Sequence, residues 1–186
     1  MEFFELMDAE GNQIGRVKER SAVHRDGDLH GGSHIWVIGQ RNENGSYPIL
    51  LQRRRPDKDS FPGCLDVSCA GHVAQGETFL STAIREMREE LNLSVREEDL
   101  IYLFRKQSGG NYRFHGRPFR NYEINFVYLL SPDFPLDTLK YQEEEIDGLV
   151  WMDSDALERD LLSGSDAYCI EYWELEEVLR YLPGMP

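Results

Sequence analysis

Glu86, Glu89 and Glu90 stand at relative positions 0, 3 and 4, which puts three carboxylates on one face of one helical turn. Like charges held that close repel, and a cation relieves the strain. A hard divalent ion such as Mg2+ or Mn2+ prefers oxygen ligands of this kind, and it commonly arrives with a phosphate. Such an ion can neutralise a diphosphate and lower the pKa of an attacking water. The spacing therefore points to chemistry at a phosphorus anhydride. It does not say which acid would act as base. The acids lie in the run GHVAQGETFLSTAIREMREELNL, residues 71–93, with Gly71, Glu77 and Arg85 upstream of them. Glu77 has two readings: an acid favoured at a helix start by the dipole, or a side chain that ties the loop to the helix or completes a metal shell.

The elements around this run follow from its periodicity. Phe79, Leu80, Ala83, Ile84, Met87 and Leu91 recur at helical spacing and predict a helix over residues 77–91, with the three acids largely off the stripe. Residues 65–70 predict a short strand that delivers Gly71 and His72. Upstream, residues 1–8 read as a strand, and the polar, basic segment 16–32 as a surface loop. Residues 34–39 and 47–52 read as two strands of a hairpin. Downstream, 101–104, 122–130 and 146–151 read as strands, and 154–162 and 167–182 as amphipathic helices stopped at Pro183-Gly184. The last helix could cover the core or form a dimer interface. The segment 109–116 is either a flap that closes on a ligand, with Tyr112 and Phe114 stacking, or an exposed hairpin turn.

Composition sets the outer limits. The 186 residues carry 34 acids against 20 Lys and Arg, a formal charge of −14, which argues against nonspecific nucleic-acid binding or adhesion to an anionic membrane. A metal and a few local cations can still invert the potential around a small anionic substrate. Three cysteines form no paired framework, as expected of a reduced, cytoplasmic chain. The acidic start MEFFELMDAEG is unlike a signal peptide, and no apolar run reaches membrane-spanning length. The expected partner is a small-molecule diphosphate, and the expected state a monomer or homodimer.

The run at 71–93 resembles the Nudix box on Gly71, Glu77, Arg85, Glu86, Met87, Glu89, Glu90 and Leu93. Its one departure is Asn92 where the family has Gly. The position needs a left-handed backbone, which Asn adopts more readily than most residues. The resemblance implies an α/β Nudix fold, a mixed β-sheet sandwiched between helices. It implies one domain over 1–186, with an N-terminal extension at 1–30, the box at 71–93 and C-terminal helices at about 154–182. It also implies a Mg2+- or Mn2+-dependent diphosphohydrolase. Glu86 and Glu90 would be metal ligands, and Glu89 a ligand or the base. Arg85 would orient the cluster, and the Gly71 carbonyl would be a further ligand. Glu145 is a second candidate base, in an acidic run that otherwise reads as a solvated loop.

A further resemblance, over roughly residues 1–130, is to the branch containing type 1 isopentenyl diphosphate isomerases and their hydrolase relatives. It implies that His24, His30 and His72 hold a metal with Glu123, while the second acid of that site is Asn121 here. Arg54 and Lys58 would contact the substrate diphosphate, with Tyr112 as another substrate contact. His34 reads as structural. The isomerase's catalytic Cys immediately precedes Gly-His, and that position is Ala70. Cys69, one residue earlier, should point to the opposite face of its strand. This favours hydrolysis over isomerisation. A non-catalytic diphosphate-binding protein is the remaining alternative, although a degenerate box would be expected of one.

Overall fold

The structure is a computed structural model that describes residues 2–132 and 139–182. Its organising strand is β3 (His30–Val37). Side chains alternate across a strand, so Ile35 and Val37 enter one apolar core and Trp36 enters another. β3 pairs in parallel with β8 (Arg117–Leu130) and antiparallel with β6 (Cys69–His72). β7 (Ile101–Phe114) lies outside β8, while β1 (Phe3–Met7) and β2 (Gln13–Glu19) extend the other side, in the order β2-β1-β3-β8-β7. A second sheet runs β5-β4-β9, from β5 (Leu65–Asp66), β4 (Pro48–Arg54) and β9 (Ile146–Asp153). The class is α/β, a mixed sheet flanked by helices, as expected.

The helix carrying the acids is α2 (Phe79–Leu91), and Ala83, Met87 and Leu91 anchor it in the first core. Thr78 caps it: the Ser81 N–H donates to the Thr78 hydroxyl at 3.1 Å, and the Thr78 N–H donates to the Ser81 hydroxyl at 2.9 Å. Asn92 ends it in the left-handed region, φ 52 and ψ 31. On the opposite side, α3 (Ser154–Leu162) and α4 (Tyr172–Tyr181) bury Leu157, Leu161, Leu175 and Val178 in the second core. The apolar stripe of α4 thus covers the fold, with Trp173 and Tyr181 left partly exposed. No helix among the described residues is long and apolar enough to cross a membrane.

Several expectations need correction. Residues 16–32 are not a surface loop. They hold most of β2, the short helix α1 (Arg20–Asp26) and the start of β3. β2 is largely exposed and so lacks an apolar alternation, while α1 buries only Val23 and His24. The segments 34–39 and 47–52 are not a hairpin. They belong to different sheets, joined by the single bridge Ile38–Ile49. Glu77 precedes α2, because Thr78 caps it, and residues 167–171 precede α4. β7 and β8 are 14 residues each, a long hairpin turning at His115-Gly116, where both residues have positive φ, the two-residue geometry that matches strand twist. Segment 109–116 is therefore that hairpin's end. The predicted stop at Pro183-Gly184 lies outside the described residues.

Asn92 offers a direct check on the helix end. Asn92→Gly should be neutral to slightly stabilising in urea denaturation, whereas Asn92→Val should cost about 1–2 kcal/mol, because a β-branched side chain resists the left-handed region.

Candidate functional site

Strand register assembles the site. Gly32 lies opposite His72 on one side and Asn125 on the other, His30 lies opposite Glu123, and His34 opposite Ala70. β7 adds Lys106 opposite Asn125 and Ser108 opposite Glu123. Because alternate residues share a face, these residues all stand on one side of the sheet, where all but the fully buried His30 line a cavity with Arg20, Arg54, Tyr112 and Phe119. Gly32 makes the hollow. A Cβ there would fall 2.1 Å from Asn125 Oδ1, so no larger residue fits without displacing the amide.

Three imidazoles converge in this hollow. The candidate ligand atoms of His24, His30 and His72 lie within 4.8 Å of one another. His30 Nδ1 donates to the Asp28 carbonyl at 3.0 Å, and His24 Nδ1 to the Arg120 carbonyl at 3.3 Å. Because a carbonyl only accepts, each Nδ1 carries a proton, and Nε2 is the ring nitrogen each histidine turns toward the hollow. Both Nε2 atoms are buried without a hydrogen-bond partner among the described residues. His30 Nε2 is 3.7 Å from Glu123 Oε1, and His72 Nε2 reaches the same oxygen at 3.0 Å. Burial, then the neighbouring His30 and His72, push His24 down to about 3, so it stays neutral at ordinary pH. Burial alone would raise Glu123, but His30 and His72 outweigh it and hold its carboxyl well below the usual range. Phe4 stacks on His30 and His72, and Phe119 on His24. Imidazole nitrogens and a carboxylate converging on one point fit a divalent ion.

The α2 acids meet β6 from its other side. Arg85 gathers them. Its guanidinium grips Glu77 with Nε at 2.7 Å and Nη2 at 3.0 Å, reaches Glu86 at 2.6 Å and Glu89 at 3.0 Å, and donates to the His72 carbonyl at 3.2 Å. Glu77 also accepts from Thr82 Oγ1 at 2.9 Å and the Ala74 N–H at 3.3 Å, so it ties the loop to the helix. Glu86 lies against Gly71, where a Cβ would sit 1.9 Å from its Oε1. Glu90 is not off the buried face as expected. It is only 9% exposed, and it accepts from Gln52 Nε2 and from the Ala70 N–H, each at 3.3 Å. Glu89 is more than half exposed. Burial, then Glu90, pushes Glu86 up to about 7, and burial raises Glu90 as well. A buried and a half-buried carboxylate that resist ionising together are a second place a cation fits.

The NUDIX domain family matches residues 32–172. The chain belongs to the Nudix family. It is 33% identical over 189 residues to Nudix hydrolase 3 of Arabidopsis thaliana, an alignment covering 96% of this chain but 23% of that protein. The chain thus spans less than a quarter of this much longer relative. An uncharacterised Nudix hydrolase of Clostridium acetobutylicum is 32% identical over 158 residues, covering 85% of this chain and 73% of its own. Proteins named isopentenyl-diphosphate Delta-isomerase are similar too, at 26% identity over 89% of this chain or at 33% and 34% over about half of it. Among solved structures, a Deinococcus radiodurans protein superposes with TM-score 0.66 at 23% identity, covering 94% of this chain and 98% of its own, a likeness of fold.

The remaining Nudix candidates divide between the cavity and its surroundings. Arg54 lines the cavity and donates to Asp66 at 3.1 Å and the Ser60 carbonyl at 3.1 Å. Tyr112 lines it too, packed edge-on to Phe61. Lys58 and Glu145 pair with each other away from the cavity lining. Cys69 is fully buried in the first core, and burial holds its thiol well above the usual range, while Ala70 lines the cavity. Sequence reasoning missed Asn125, Lys106 and Glu174. Asn125 could have been found from the alternation Asn121, Glu123, Asn125 on β8, and Glu174 as an acid within an apolar helical stripe.

A carboxyl raised by folding favours the protonated native state, so its contribution is present below the ordinary 4.5 and is lost as pH rises through about 7. In EDTA, wild type should therefore lose stability between about pH 5 and 8 relative to Glu86→Gln, on the order of 2 kcal/mol in urea denaturation. Mg2+ should restore that loss in wild type and leave Glu86→Gln unchanged.

Proposed function

We propose that this Nudix chain is a divalent-metal-dependent diphosphohydrolase acting on a small organic or nucleoside diphosphate derivative. Family membership supports metal-dependent hydrolysis of a diphosphate linkage in general. The observation that carries the finer reading is the pair on α2: half-buried Glu86 against Gly71 and buried Glu90 against the Ala70 N–H, both raised by burial. Mg2+ or Mn2+ bound there would neutralise the diphosphate and acidify a water. Glu86 and Glu90 are the proposed ligands, with the Gly71 carbonyl at hand. Glu89, the most exposed of the three, is the proposed ligand or base toward solvent. Arg85 holds the carboxylates in place and is itself saturated by them. Arg54, facing the cavity, is the proposed diphosphate contact, and Tyr112 flanks the organic group. Glu145 and Lys58 neutralise each other, which weakens the case for either as base or phosphate ligand.

The isomerase reading has one observation in its favour, the cluster of His24, His30, His72 and Glu123. Ala70 opposes it, since an alanine can neither give nor take a proton. Cys69 lies on the other face of β6 and is buried, so it cannot take over. A cation at the histidines is compatible with hydrolysis as well.

Product release should be followed over a panel of diphosphates with Mg2+ or Mn2+, with isopentenyl diphosphate monitored by proton NMR in the same assay. The expected outcome is metal-dependent cleavage that falls roughly 100-fold or more in Glu90→Gln. Isomerisation without cleavage would replace this proposal with the isomerase reading. Tight metal-dependent binding with no turnover would leave a binding protein.

A further inference from the structure

One buried carboxylate behind the cavity lining serves no part of either metal cluster. Glu174 of α4 is 1% exposed. It accepts from Trp36 Nε1 at 3.0 Å and from His34 Nδ1 at 2.9 Å, and it is paired with Lys106 Nζ. Lys106 is itself 3% exposed, 3.4 Å from Glu171 and 4.9 Å from the centre of the Trp173 ring. A carboxylate that accepts three donors from two strands fixes all of them.

The consequence falls on His34. A carboxylate only accepts, so Nδ1 carries the proton and the ring is held by it. His34 lines the cavity, keeps 17% of its side chain exposed, and has no partner for Nε2 among the described residues. Its cross-strand neighbour is Ala70, which lines the same cavity with no more than a methyl. Arg54 and Tyr112 line the same cavity. This is more than structural packing requires: a histidine used only for packing has no need of a buried anion behind it and an open face before it.

We infer that His34 is a substrate-contacting residue whose Nε2–H hydrogen-bonds an oxygen of the bound diphosphate, with Glu174 the positioning residue that holds the imidazole. The inference rests on the diphosphohydrolase reading. Burial would lower His34, but the Glu174 charge outweighs it and raises His34, which favours the doubly protonated donor form. The other charged groups around the ring are Lys106 on β7, Glu123 on β8, His72 on β6, and Arg54 and Glu171 across the cavity.

The test has two arms on the full-length chain. In the first, the protein is labelled with 15N-histidine and titrated with methylenediphosphonate and Mg2+, with His34→Gln assigning the resonance. The His34 Nε2 signal should shift and its titration midpoint should rise. An unmoved His34 signal, whether the analogue binds elsewhere or not at all, overturns the inference. In the second arm, His34→Gln should lower kcat/KM for a hydrolysed diphosphate by roughly 10- to 100-fold, the range for a charged hydrogen bond. Glu174→Gln should move the falling, high-pH limb of kcat/KM to lower pH, and Glu174→Asp should move it part of the way back. A purely structural Glu174 would change folded yield without moving that limb. If turnover occurs but His34→Gln stays within about twofold of wild type, the inference fails and the hydrolase reading survives. If no diphosphate is cleaved but the His34 signal responds, the hydrolase reading fails and the contact stands.

Discussion

The pairing of β3 with β6 and β8 is the constraint on which everything else in this molecule depends. Opposing His30 to Glu123, and Gly32 to both His72 and Asn125, places polar residues from three strands on one face of the sheet. The other face of β3 carries Ser33, Ile35 and Val37 toward α2, and Ser33 Oγ donates to the Phe79 carbonyl at 2.7 Å. A slip of one residue would send the histidines into an apolar core and the aliphatics into the cavity. Both faces being committed, the register has little freedom. Gly32 completes the arrangement, since any side chain at its position would fill the hollow that the neighbouring residues define.

Electrostatics then divides the site between two sides of β6. On the α2 side, one guanidinium holds three carboxylates and a carbonyl, and those partners raise Arg85 further above its ordinary range despite its partial burial. Without Arg85 the acids would repel one another, and with it they stay close enough to share a cation. On the cavity side, imidazole nitrogens meet a single carboxylate, with backbone carbonyls orienting two of the rings. The two donor sets differ in kind, oxygen-rich on the helix and nitrogen-rich on the sheet, and hard and borderline cations sort between such sets. The chain's formal charge of −14 says nothing of this local arrangement, in which Arg20, Arg54 and Lys106 line the cavity.

The C-terminal helix belongs to this site as well as to the core. Leu175 and Val178 enter the second core, and Glu174, one residue before Leu175, reaches His34 and Lys106 of the cavity lining. The N-terminal segment contributes in the same way. Phe4 of β1 stacks on two of the histidines and α1 carries the third. Elements far apart in sequence thus meet at one hollow.

The sequence by itself determined what is local. The spacing of Glu86, Glu89 and Glu90, the apolar stripe of α2, the left-handed turn at Asn92 and the limits of α3 all follow from a few neighbouring residues, because helical periodicity and turn sterics act over one or two turns. The tertiary structure alone decided what depends on pairing. β2 and α1 carry little apolar pattern, so residues 16–32 took their shape from β1 and β8 rather than from their own composition. The last ten residues of β7 are held by backbone pairing to β8, which leaves no mark on hydropathy. Above all, it took the fold to bring Glu174 to His34 across 140 positions of chain and to bury Glu90, because burial and hydrogen-bond partners at that range are properties of packing, which residue spacing does not encode.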